Sequence, residues 1–66
     1  MSAVSIVCER ILDAMAALVR LHSAGMIFDD EFTEIMKRLD EALRLANELR
    51  RRMELKARRE MQRVRV

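Results

Sequence analysis

The chain has 66 residues, 52% of them apolar and 36% charged, with two phenylalanines, one glycine, one cysteine, one histidine and no proline, and a formal net charge of +2. That length allows one small domain, which buries too modest a share of its surface to be secure without a staple. A lone cysteine excludes an intrachain disulfide, and with a single histidine it cannot complete a structural zinc site, so oligomerisation is the staple left.

No apolar run approaches the roughly 20 residues that span a bilayer. The first basic residue, Arg10, follows Glu9, so the N-terminus lacks the basic-then-apolar order of a signal peptide. A cytoplasmic protein with a reduced thiol is expected.

From Val4 the apolar residues recur as Val4, Val7, Cys8, Ile11, Ala14, Met15, Leu18 and Leu21. Spacings of three and four predict a helix over roughly residues 3–24 with one apolar stripe. Glu9, Asp13 and Arg20 fall on the opposite side, but Leu12, Ala16 and Val19 form a second strip beside the first. Such a helix has more than one neighbour. Cys8 lies on the stripe and reads as a small buried side chain; a two-fold axis near it would permit an intermolecular disulfide, which a reducing compartment disfavours. His22 belongs to the last turn, where a partial positive charge is welcome, and no nucleophile and orienting acid are arranged with it by the sequence.

Gly25 is the expected stop. Glycine adopts the left-handed conformation cheaply and closes the last carbonyls of a helix, with Met26 or Ile27 folding back onto the final turn. Asp29, Asp30 and Glu31 gather where a second helix begins and complement its dipole, and Asp29 is placed to cap free amides there. These acids, with Glu34, lack the loop of six to eight oxygens that a hard cation needs, so no metal site is expected.

The second helix carries Phe32, Ile35, Met36, Leu39, Ala42, Leu43, Ala46, Leu49 and Met53 at the same spacing and has no stop signal before about Arg63. Glu34–Arg38, Asp40–Arg44 and Glu48–Arg52 stand acid before base at i,i+4, each worth about 0.2–0.5 kcal/mol. A short loop predicts an antiparallel two-helix hairpin, all-α, with a long second helix. The first helix covers the second to about Arg50, leaving an overhang of roughly 24 Å at 1.5 Å per residue.

Residues 18–39, with Leu18, Leu21, Gly25, Met26, Ile27, Glu31, Phe32, Lys37 and Leu39 at the matching places, resemble the SHOCT domain, a short helical hairpin. The stretch covers about a third of the chain. Phe28 stands where that family has a capping threonine or serine, so the cap shifts to Asp29 or is lost. The resemblance implies a role in oligomerisation or association and brings no active site.

Charge divides the chain. Residues 1–49 hold five basic and nine acidic residues, net −4, and residues 50–66 hold eight basic and two acidic, net +6. The expected organisation is an oligomerisation core, 1–49, and a basic helical extension, 50–66. Arg50, Arg51, Arg52, Lys56, Arg58, Arg59, Arg63 and Arg65 are the candidate nucleic-acid contacts, since arginine suits bidentate phosphate binding. The tail has no aromatic residue for base stacking, so contacts with DNA or RNA would be phosphate-directed. Two stripes on the first helix predict a homodimer forming a four-helix bundle, with Ile11, Leu12, Met15, Leu18, Val19, Leu39, Leu43, Leu49 and Met53 at the interface.

The expected function is therefore that of a small, non-enzymatic, oligomeric regulatory or accessory factor that binds nucleic acid and takes no cofactor. The alternative is an adaptor or inhibitor whose arginines meet an acidic protein surface while Leu49, Met53 and Leu55 anchor the contact. The tail's apolar face is too thin for a membrane-surface helix. A continuing coiled coil is disfavoured because Lys56 and Glu60 fall where its seam wants apolar residues.

Overall fold

The structure is a computed structural model that describes residues 3–64, with side chains through residue 59. It consists of α1 (Ala3–Ser23) and α2 (Asp29–Val64), and no strand occurs among the described residues. The first helix ends within a residue of the expected place. The second runs 36 residues, about 54 Å at the usual rise, and carries the arginine-rich segment as far as Val64. Nothing in 29–64 is glycine or proline, so no residue there interrupts the backbone ladder.

The junction forms as its glycine requires. Gly25 has φ 72°, its amide donates to the carbonyl of His22, and the amide of Met26 donates to that of Leu21, both at 3.0 Å. This pair of bonds is the Schellman closure of a helix end. Of the two residues expected to fold back, Ile27 is half-buried, while Met26 remains 72% exposed.

The start of α2 departs from expectation. The Phe28 carbonyl accepts the first helical bond, from the amide of Phe32 at 2.9 Å, so Phe28 holds the N-cap position. Its side chain cannot cap, and Glu31 supplies the missing half: the Glu31 carboxylate accepts from the Phe28 amide at 3.0 Å. Asp29 does not cap. Its carboxylate turns back to His22, and its carbonyl accepts the Thr33 hydroxyl at 2.8 Å. Three consecutive acids offer similar local chemistry, and the one at the third helical position has the reach to return to the N-cap amide.

The seam between the helices is narrow. Val4, Cys8, Leu18 and Ala46 are buried, and Ile11, Met15, Phe32, Met36, Leu39 and Leu43 are half-buried around them. Cys8 lies against Asn47, its thiol 3.7 Å from Oδ1, in agreement with a buried role. His22 stacks on Phe32 at the hinge end, with ring centroids 4.2 Å apart. At the other end, Val4 and Ser5 share a depression with Arg50, Met53, Glu54 and Ala57. Residues 50–59 are all exposed, so the first turn of α1 borders this part of α2 without covering it. The molecule measures 60 × 19 × 10 Å, and its 17.0 Å radius of gyration far exceeds the roughly 11 Å of a compact domain this long.

Candidate nucleic-acid interface

The far end of α2 presents a bare basic surface. Arg50, Arg51, Arg52, Lys56, Arg58 and Arg59 are all exposed. At 100° per residue, Arg51 and Arg58 share one side, with Arg59 displaced from it, so cationic groups are distributed around the rod. Only Arg52 takes part in an ion pair, with Glu48 at 3.6 Å; the other five pair with no described residue. Arg65 lies outside the described residues, as does the side chain of Arg63.

Closer to the hinge the same residue type is used differently. Arg38 is bonded to Glu34 at 3.3 Å and to Glu41 at 3.5 Å, and Arg44 to Asp40 at 3.1 Å. All three expected i,i+4 pairs form. These pairs lie along the exposed face of the helix, whereas Arg50, Arg51, Arg58 and Arg59 have no such partner among the described residues.

Between these regions lies an apolar surface. Val4, Val7 and Ile11 of α1 and Ala42, Leu45, Ala46 and Leu49 of α2 line an open groove of ≈ 400 Å³ that also touches Ala3. Among the residues expected at an oligomer interface, Leu18 is buried within the chain itself. Ile11, Met15, Leu39 and Leu43 are half-buried, and Leu12, Val19, Leu49 and Met53 are exposed. Val7, Ile35 and Leu45 are not among the expected interface residues, yet all three are exposed. Val7 and Ile35 belong to the stripes, and Leu45 sits three residues past Ala42 and four before Leu49.

His22 has a closer acid than the sequence suggested, its Nε2 being 2.6 Å from Asp29 Oδ1. The signal was a histidine one turn before the cap and an acid at the next helix start. The Thr33 hydroxyl donates to the Asp29 carbonyl, and the Cys8 thiol lies against Asn47. The contact ties the two helix ends across the hinge. Among the described residues no cluster of histidine, cysteine and carboxylate side chains has the makings of a metal site, and no helix is long and apolar enough to cross a membrane.

Comparison of the chain with protein-family models, characterised proteins and solved structures gives no match.

Proposed function

We propose that the protein is a small, non-enzymatic accessory or regulatory factor whose antiparallel hairpin self-associates, most simply into a four-helix dimer, and whose basic helix end binds nucleic acid. The likeness of residues 18–39 to the SHOCT hairpin belongs to the same proposal. The observation that carries it is the concentration of cations at one end of α2: Arg50, Arg51, Arg58 and Arg59 lie exposed there and pair with no described residue, whereas Arg38 and Arg44 nearer the hinge are held by neighbouring acids. A rod bearing cations on several sides gains affinity by displacing the counterions condensed on a polyphosphate. Self-association is supported by the apolar residues left in contact with solvent along both helices, since a patch of that kind on a small protein marks an interaction surface.

Binding of fluorescent duplex DNA and duplex RNA, followed at several salt concentrations, tests the proposal. Replacing Arg51, Arg58 and Arg59 by glutamine is expected to weaken binding to all sequences alike. The slope of log affinity against log salt should fall by about 0.7–0.9 for each phosphate that is no longer neutralised. Failure of the unaltered protein to bind either polymer at low salt would reject nucleic acid as the partner and favour an acidic protein surface.

A further inference from the structure

The exposed apolar flank is built symmetrically. On α1 its residues at heptad spacing are Val7, Ala14 and Leu21, and on α2 they are Ile35, Ala42 and Leu49. Each set places alanine between two larger side chains, and those larger ones are all 41–49% exposed. Ala14 and Ala42 stand nearly level along the rod, because Cys8 meets Asn47 and Ile11 shares the groove with Ala42. A two-fold axis passing between the alanines carries Val7 onto Leu21 of a second copy, and Ile35 onto Leu49. The small central residues let the backbones approach, and the bulky ones interleave on either side.

Charge decides the direction. The hinge end bears Asp29, Asp30, Glu31 and Glu34, and the opposite end bears the unpaired arginines. Two copies aligned in the same direction would bring like charges together at both ends, whereas opposed copies set acid beside base. In the opposed arrangement Glu31 of one copy comes to the level of Arg52 and Met53 of the other, and Glu34 to the level of Arg50. Glu34 and Arg52 each give up only an exposed ion pair within their own helix, which costs little.

The chain exposes more surface than a compact monomer of its mass. A compact monomer of 7.8 kDa exposes about 4,400 Å² by the scaling of folded proteins. This chain exposes 5879 Å². The overhang accounts for part of the excess, and the excess as a whole is larger than the roughly 800 Å² that each partner contributes to a standard interface.

We infer that a second copy of the chain docks on the Val7–Leu21 and Ile35–Leu49 flank in the opposite direction, with its acidic hinge beside the basic overhang of the first. This rests on the self-association proposed above and assigns its face and its polarity. The face opposite is excluded from the contact: Leu12 lies about 140° round α1 from Val7 at 100° per residue.

Single-cysteine variants distinguish the outcomes. In a Cys8→Ala background, Val7→Cys and Leu21→Cys chains of different isotopic mass are mixed, exchanged and joined with a short bis-maleimide, and the products are weighed. Ile35→Cys with Leu49→Cys provides a second pair, Leu12→Cys a control, and each variant is checked for unchanged helicity. Nearly all joined product should be the mixed species in both pairs, with no joining through Leu12→Cys. Predominant joining of like with like would overturn the opposed direction. A dimeric mass for the unaltered protein with no joining in either pair, or joining only through Leu12→Cys, would overturn the choice of face while leaving self-association intact. A monomeric mass in sedimentation would overturn both, leaving the nucleic-acid measurement to stand by itself.

Discussion

Gly25 separates conformational cost from steric cost unusually well. A side chain added there would meet nothing within 4 Å, so the space is open, yet φ is 72°. Gly25→Ala should therefore destabilise by about 1 kcal/mol, through the left-handed backbone alone. Thermal unfolding followed by circular dichroism checks it, and an unchanged midpoint would mean that the chain turns here by another conformation. Beyond the glycine, the hinge divides its acids by reach. Glu31 returns to the Phe28 amide, and the shorter Asp29 carboxylate meets His22, whose ring also covers Phe32. The expectation of an Asp29 cap overlooks the third-position reach of Glu31, which is local, whereas the turn of Asp29 toward His22 depends on where α1 ends in space.

At the scale of the helices, what is legible in the sequence is local. The 3–4 spacing, the glycine stop and the acid-before-base pairs all act within one or two turns, and each appears where expected. The register between the helices is not legible, nor is the flank it leaves bare. Spacing identifies an apolar stripe but not which part of it the other helix covers, so the expected interface includes Leu18 and omits Val7, Ile35 and Leu45. Burial separates them. Leu18 is 6% exposed and Leu12 is 52% exposed. Leu18→Ala should cost about 2–5 kcal/mol, and Leu12→Ala distinctly less, in urea unfolding at equal protein concentration. Equal losses would place Leu12 in a buried contact. The depression beside the start of α1 matters likewise for truncation. Removing residues after Leu49 takes away Met53, Glu54 and Ala57, which border the same depression as Val4 and Ser5, whereas removing them after Ala57 does not. The shorter protein should fray at the start of α1 and melt at a lower temperature, and the longer one should keep the hairpin while losing Arg58, Arg59 and the arginines beyond. Equal melting of both would show that the first turn of α1 gains nothing from the overhang.

For the whole molecule, the opposed pairing proposed above would fix where the basic ends lie. Residue 58 is sixteen residues from residue 42, so at 1.5 Å per residue each overhang stands roughly 24 Å from the two-fold axis, and the two are roughly 48 Å apart. Such a dimer is a bar in which the acidic hinge of one copy lies beside residues 50–55 of the other. The cationic grip at either end therefore rests on Arg58 and Arg59, and the middle is nearly neutralised where Arg38 and Arg44 are held by their own acids. A duplex rises 3.4 Å per base pair, so about 14 pairs are needed to join both grips. Duplexes of 10 pairs should engage one end only, and those of 25 pairs should engage both and bind about 100-fold more tightly, since the second contact becomes intramolecular. Titration of a mixed dimer, in which one chain carries Arg51, Arg58 and Arg59 replaced by glutamine, separates this from a simple gain in the number of phosphates. The mixed dimer keeps one intact grip, so its affinity for 10-pair duplexes should fall only about two-fold, in line with the loss of one of two equivalent sites, while its advantage on 25-pair duplexes should vanish. Affinity that rises smoothly with length in both proteins would instead place the two basic ends side by side.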